Sequence, residues 1–207
     1  MFWKVALFCL AATMAAAQQR EVGIQGGGGI FTGASLAGTP ATASFAPGPM
    51  IGVLVGQDVS PHWSGEIRYE YERDDLRVVS GGQSAAMAGD AHALHYDLIW
   101  NSRTRREHLR PYIAAGAGLK LYRGAGAEEA YRPLMQYAYL THTQQWEPLI
   151  AAGGGIKMSL SDRLELRLDL RDQITPFPNK VITAASGSKI SGWLHDLVPS
   201  VALSWRF

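Results

Sequence analysis

Charged side chains in this 207-residue sequence recur at every second position in several segments, and the two signs are nearly balanced. Side chains two positions apart point the same way on a β-strand, so the spacing predicts a face that carries both signs. Mixed charges suit a narrow interior in which each charge finds a partner, and a solvated, salt-laced face is the alternative. The predicted interior network has six acids and six bases, namely Glu66, Arg68, Glu70, Glu72, Asp97, Lys120, Lys157, Glu165, Arg167, Asp169, Arg171 and Arg206.

One histidine has neighbours that could form a hydrolytic site. Such chemistry requires a histidine beside a hydroxyl group and oriented by an acid. His142 lies between Thr141 and Thr143, with Glu147 nearby, but no serine follows it at the second position. A role on the surface or in a polar network is the favoured interpretation, and the sequence predicts no catalytic residue.

The remaining histidines are weaker candidates for a site. His92 and His95 are spaced closely enough to be metal ligands, and His195 directly precedes Asp196. His62 lies in a predicted turn. Polar-network or surface roles are favoured for all of them, so neither a metal site nor an enzyme is predicted.

The composition and the first residues restrict the protein class further. The formal net charge of +1 gives no indication of nucleic-acid binding. Lys4 and the apolar run 5–17, which ends in three alanines, predict a cleavable signal peptide over residues 1–17. The only cysteine, Cys9, lies within that segment. No cofactor motif is present, because the glycine clusters 26–29 and 153–155 lack the spacing that phosphate binding requires.

The elements that position the charges are predicted to be strands. The segment 63–72 is apolar or glycine on one parity and polar on the other, and 164–171 alternates leucine with charged residues. A helix would distribute the same leucines around its axis, so periodicity outweighs their helical propensity. The final segment, 197–207, alternates in the same way, although Pro199 predicts a strand start or a bulge.

Five further segments bring the predicted number of strands to eight. They are weaker but compatible with strands of 8–12 residues, and they cover 22–31, 50–57, 93–100, 112–122 and 149–158. Short connections alternate with long ones, which is the layout of an outer-membrane barrel. The sequence therefore predicts an all-β protein in which residues 18–207 form an eight-stranded, antiparallel, up-and-down transmembrane β-barrel.

Aromatic residues on the apolar parity favour a membrane barrel over a soluble one. Aromatic rings at strand ends favour the level of the lipid headgroups. Most of these residues lie at the end with the short turns, and Tyr71 is assigned to the opposite end. The predicted membrane girdle comprises Trp63, Tyr71, Trp100, Trp205 and Phe207.

The last seven residues, Val201-Ala202-Leu203-Ser204-Trp205-Arg206-Phe207, resemble the terminal strand of outer-membrane β-barrel proteins. The chain as a whole resembles the small OmpA-like and OmpW-like barrels, without the soluble peptidoglycan-binding domain that OmpA-type proteins often carry. The resemblance implies a location in the bacterial outer membrane, contact with outer-membrane lipid, and engagement of the barrel-assembly machinery by the final strand.

Function is predicted to reside in the long loops, because a barrel of eight strands is just wide enough for side chains to fill. A structural or surface-interaction role is favoured over a narrow channel for small or apolar solutes and over a lipid-modifying enzyme. The loops are expected to be mobile, and the basic turn 103–110 is expected to be solvated rather than bound to lipid headgroups. Five loop aromatics are assigned to an upper girdle or to strand extensions: Tyr131, Tyr137, Tyr139, Trp146 and Phe177.

Overall fold

The computed structural model describes residues 19–129, 131–185 and 187–207, and these residues contain strands but no α-helix. Among them, no helix is long and apolar enough to cross a membrane. The signal peptide predicted over residues 1–17 lies outside the described residues. The strands are β1 (Arg20–Phe31), β2 (Ala34–Ala37), β3 (Thr42–Phe45), β4 (Gly48–Asp58), β5 (Trp63–Glu72), β6 (Leu76–Ser80), β7 (Gln83–Met87), β8 (Gly89–Asn101), β9 (Leu109–Gly124), β10 (Ala138–Leu140), β11 (Gln144–Ser159), β12 (Leu164–Pro176), β13 (Ile182–Ala184), β14 (Lys189–Ile190) and β15 (Trp193–Arg206).

Eight of these strands form a closed antiparallel barrel, as the sequence predicts. Their order around the barrel is β1-β15-β12-β11-β9-β8-β5-β4, and the first and last strands also pair. Exposed apolar residues alternate with buried polar ones along most of these strands, most regularly in β12 and β15, whereas the buried residues of β4 are apolar or glycine. Because neighbouring residues point to opposite faces, the charged parity lies inside the barrel and the apolar parity lies outside.

Several barrel strands extend beyond their predicted limits. β9 and β11 each have 16 residues, which is more than a tilted strand needs to cross a bilayer. β15 runs unbroken through Pro199, which pairs with Leu170 of β12. The strand start or bulge predicted at that proline is therefore absent from β15.

Glycine residues in the barrel wall admit bulky neighbours. A Cβ at Gly116 would lie 2.0 Å from Oδ1 of Asp97, and one at Gly155 would lie 2.8 Å from the hydroxyl oxygen of Tyr112. A side chain at either position would displace a group of the interior. These glycines therefore provide close packing rather than water-filled space.

The seven remaining strands form a folded cap at the long-loop end, within the segments that the sequence assigns to long loops. The expected mobility of these loops stays a prediction. Five of the strands pair in the order β14-β2-β3-β6-β7, and the other two form the pair β10-β13. Each of these strands has between 2 and 5 residues. Such short strands give too little alternation to be recognised one at a time in the sequence.

The cap encloses its own hydrophobic core. Phe45 is central to it, with ring centroids 5.3 Å from Phe31 and 5.1 Å from Tyr122. Phe177 is 2% exposed and belongs to the same core, so its assignment to an upper girdle is wrong. This core makes the cap a compact unit, because its buried apolar surface favours the folded loops over extended ones.

Candidate functional site

The barrel interior is filled by the twelve charged residues that the sequence singles out. Each of them is at most 7% exposed, although every one has an ionisable side chain. Charges buried in this way require partners, because desolvation of an isolated ion costs several kcal/mol. The contacts described below show that the partners come from across the lumen as well as from neighbouring strands.

Two ion pairs join strands on opposite sides of the barrel. β5 and β12 are four places apart in the eight-strand ring, so they are diametrically opposed. Arg68 of β5 contacts both carboxylate oxygens of Asp169 on β12, at 3.1 and 3.3 Å. Arg167 of β12 reaches back to Glu66 of β5. This pair of clamps fills the central cross-section of the lumen.

Further contacts connect the clamps to the rest of the wall. Arg171 lies 3.1 Å from Asp169 and 3.3 Å from Asp97. Arg167 also contacts Glu165 at 3.3 Å, and Glu165 lies 3.4 Å from Arg206. The central carboxylates therefore have a basic partner on more than one side.

At the long-loop end, the network closes around Lys120. Its ammonium group donates hydrogen bonds to Glu72 at 2.8 Å, to Asp196 at 2.6 Å and to Gln173 at 3.0 Å. It also lies 5.2 Å from the ring centroid of Phe31, within the range of a cation–π interaction. Because Phe31 packs against the cap core, Lys120 marks the boundary between the charged lumen and the apolar cap.

Several lumen residues are missing from the network predicted by the sequence. Glu21 contacts Arg167 and lies 3.5 Å from Lys157, and Arg110 lies 3.4 Å from Glu165. Arg110 was assigned to the solvated turn, but β9 begins at Leu109 and directs it inward. Glu21 lies on the same face of β1 as Gly23 and Gln25. If the alternation of inward and outward positions had been continued through this glycine-rich strand, it would have identified Glu21 as a lumen residue.

A buried carboxylate lies at the seam between the lumen and the cap. Asp74 is 1% exposed, and neither of its carboxylate oxygens has a hydrogen-bond partner among the described residues. Burial raises the pKa of Asp74 to about 7, with Asp196 and Asp75 adding to the rise and Lys120 opposing it. Glu72 also lies close, so a proton on Asp74 has a carboxylate to which it can be donated.

The aromatic residues assigned to the girdle lie on the outer face. Trp63 and Trp100 are directly opposite each other in the register of β5 and β8, and they are 44% and 39% exposed. Trp205 and Phe207 are exposed at the same end of the barrel, whereas Tyr71 is half-buried at the long-loop end. Trp146 is exposed on the extended strand β11.

The closely spaced histidines point in opposite directions. His92 faces outward, where its Nδ1 lies 2.7 Å from the hydroxyl of Tyr69. His95 faces the lumen, with Nδ1 2.8 Å from Asp97. They cannot share a metal ion in this arrangement, and the described residues contain no cluster of three or more potential ligands.

The other histidines are held by contacts that do not form a hydrolytic site. Nδ1 of His142 contacts the Gly126 carbonyl oxygen at 2.9 Å. His195 pairs with Asp172 at 2.8 Å on the outer face, whereas Asp196 points into the lumen. His62 contacts a backbone carbonyl oxygen at 2.9 Å in its turn. The alternation of the strand separates His195 from the acid next to it.

Comparison with known families identifies the barrel. The model of the outer membrane protein beta-barrel domain family matches residues 5–179. The chain belongs to this family. It is accordingly a protein of the bacterial outer membrane, with the short turns at the periplasmic end and the cap at the extracellular end. Among curated protein sequences, none matches the chain.

Solved structures with low sequence identity share the fold. Neisserial surface protein A is 11% identical, with a TM-score of 0.58 and coverage of 91% of this chain and 97% of that one. OprG from Pseudomonas aeruginosa is 13% identical, with a TM-score of 0.57 and coverage of 90% and 95%. Ail of Yersinia pestis, solved with the heparin analogue sucrose octasulfate, is 10% identical, with a TM-score of 0.50 and coverage of 92% and 99%.

Proposed function

We propose that this protein is a non-enzymatic surface-recognition protein whose folded cap contacts partners outside the cell. The observation that carries the proposal is the cap itself, which has seven strands and a separate hydrophobic core above a lumen filled by ion pairs. A rigid loop surface can bind a partner without the entropic cost of ordering mobile segments. The charged lumen serves this role by holding the barrel wall rigid under the cap.

The outer face of the five-stranded cap sheet is the proposed contact surface. Ser35, Thr42, Val79 and Ser84 lie in one row of that face, next to Ser44, Arg77 and Ala86 in the other. Lys189 is exposed on β14 at the sheet edge. The five strands contribute these two cations and no carboxylate, although Asp75 flanks β6. The excess of cations among the small side chains of this face fits an anionic partner.

The cap proposal is tested by binding to a soluble sulfated polysaccharide. The purified protein in detergent should bind heparin, and the double variant Arg77→Glu with Lys189→Glu should weaken binding by about ten-fold through charge reversal. The pair Arg20→Glu with Arg103→Glu changes the charge equally at the periplasmic end, outside the basic cavity there, and is the matched control. Equal binding by the two double variants would contradict the assignment of the cap face.

The lumen argues against the alternative of a passive channel for solutes. The clamps between β5 and β12 cross the barrel at its centre, and the cap core covers its extracellular end. We expect planar bilayers containing the protein to show the conductance of protein-free bilayers. Steady single-channel steps would instead favour the conduit. Engagement of the barrel-assembly machinery by β15 remains a prediction of the resemblance.

A further inference from the structure

The periplasmic end of the barrel contains a cavity of about 640 Å³ with a mainly basic lining. Four arginines and one histidine line it, against a single carboxylate side chain, that of Asp162. The histidine is His108, from the turn between β8 and β9. This cavity lies at the opposite end of the molecule from the cap, so it concerns a different function.

The four arginines fall into two pairs. Arg206 donates to the Ser161 carbonyl oxygen at 2.8 Å and lies 3.4 Å from Glu165, while Arg105 lies 3.1 Å from Asp58. These two are held in the cavity wall. Arg106 and Arg163, by contrast, are exposed, and neither has a carboxylate oxygen within 4.0 Å among the described residues.

The unpaired charge is unusual for this end of the molecule. Every basic side chain of the lumen network has an acidic partner, and Arg103 in the same turn lies 3.6 Å from Glu107. Arg106 and Arg163 come from two separate turns that the pairing of β9 with β11 brings together. Two guanidinium groups on one cavity rim can hold the two non-bridging oxygens of a phosphodiester, which share its negative charge.

The cavity also reaches the lipid-facing surface. Phe207 contributes to the lining, is 67% exposed, and shares its outward parity with Trp205 of the girdle. Its main-chain oxygen accepts the Arg20 N–H at 3.0 Å, which directs that oxygen toward β1. An apolar ring beside free guanidinium groups, at the level of an aromatic girdle, matches a lipid headgroup and the start of its chains.

We propose that this cavity binds the phosphate of an anionic phospholipid in the periplasmic leaflet, with Arg106 and Arg163 as the phosphate ligands. Phe207 packs against the glycerol and the first methylene groups. Asp162 adds one negative charge to the rim and so weakens the binding of polyanions in general. A soluble periplasmic polymer would use the arginines but would gain nothing from the exposed ring.

The test is lipid retention by the folded protein. The folded protein is extracted from vesicles of equal parts phosphatidylglycerol and phosphatidylcholine, and bound lipid is counted by native mass spectrometry. We expect preferential retention of phosphatidylglycerol by the wild type. The double variant Arg106→Gln with Arg163→Gln should lose about twenty-five-fold in retention, since each basic residue near an anionic surface contributes a factor of about five.

The controls distinguish a loss of site binding from a general loss of charge, from misfolding, and from binding of a soluble ligand. Arg103→Gln removes a charge from the same turn but outside the cavity, and should retain lipid like the wild type. A heat-modifiability gel verifies that each variant is folded. Equal retention of the two lipids by the wild type, or unchanged retention in the double variant, would overturn the proposal. Displacement of the lipid by glycerophosphoglycerol or a soluble peptidoglycan fragment at equal concentration would overturn the lipid assignment.

Discussion

The lumen and the cap are two cores built by one chain with opposite chemistry. In the barrel, charged side chains point inward and apolar ones outward, whereas in the cap Leu36, Phe45 and Leu76 point inward and Ser35, Ser44 and Arg77 point outward. The strands alternate in the same way in both regions. What differs is the solvent, since lipid surrounds the barrel wall and water surrounds the cap. Alternation alone therefore fixes two faces, and the surroundings decide which of them is buried.

The largest effect is expected from breaking the charged core at Arg167. This guanidinium group contacts the carboxylates of Glu21, Glu66 and Glu165. Arg167→Met leaves them without their shared partner and should lower the free energy of unfolding by about 3–5 kcal/mol. Urea unfolding in detergent, followed by the gel shift of the folded form, measures this. Adding Glu66→Gln and Glu21→Gln should restore part of the loss, and an unchanged midpoint in the single variant would contradict the clamp.

The apolar core of the cap should respond to a cavity rather than to a lost charge. Leu76 is fully buried there, so Leu76→Ala should destabilise the cap by about 2–5 kcal/mol. Limited proteolysis should cut the cap strands faster in this variant while the gel shift of the barrel persists. Loss of both signals together would show that cap and barrel unfold as one unit.

A pH-dependent effect is expected at the seam between the two cores. Because burial raises the pKa of Asp74 to about 7 from 3.8, the folded cap holds this proton more firmly than the unfolded chain does. Protection of the cap from protease should thus be full below about pH 4 and decline as the pH rises to about 7.

The variant Asp74→Asn isolates this contribution. It should remove the decline and protect the cap at pH 8, whereas Asp75→Asn, which removes only a minor cause of the raised pKa, should leave most of the decline. Glu72, Asp196 and Lys120 face the same site and can also make the cleavage rate depend on pH. The protease rates are therefore compared as variant-to-wild-type ratios at each pH. A ratio that stays constant between pH 4 and 8 would count against a titrating Asp74.

The smallest effect is expected for an ion pair in water. Arg103 and Glu107 lie 3.6 Å apart in a periplasmic turn, and both side chains are about half exposed. Replacing Arg103 with Gln should change the free energy of unfolding by less than about 0.5 kcal/mol. The contrast with Arg167→Met, measured in the same urea series, tests whether burial sets the importance of an ion pair in this protein.

The barrel could be predicted from the sequence because its signal is repeated in every strand. Segments such as Leu164–Arg171 alternate fully, since lipid and lumen impose opposite chemistry on the two faces. The cap could not be predicted as readily, because β2 or β10 alone is too short for periodicity to be significant. Their pairing partners are also distant in sequence, as with β3 and β6 or β10 and β13.

The charged site could be predicted by parity, but only where a strand was recognised in full. Glu21 lies in a glycine-rich strand with little alternation, and Arg110 lies just inside a strand that begins earlier than expected. Which acid pairs with which base could not be deduced from the sequence. The contact between Arg68 and Asp169, for example, depends on where the ring of strands closes. Phe177 illustrates the same limit, since nothing local distinguishes a girdle aromatic from one buried in a cap.

The clamps across the lumen also determine how the protein can reach its folded state. Arg167 is 101 residues from Glu66 and 146 from Glu21, so its contacts form only when the ring of strands is nearly complete. Individual hairpins gain nothing from their polar faces, which remain hydrated until closure. We infer that pairing of β1 with β15 and dehydration of the lumen occur in one cooperative step. High contact order makes that step slow, so partly closed sheets are the species most exposed to misassembly.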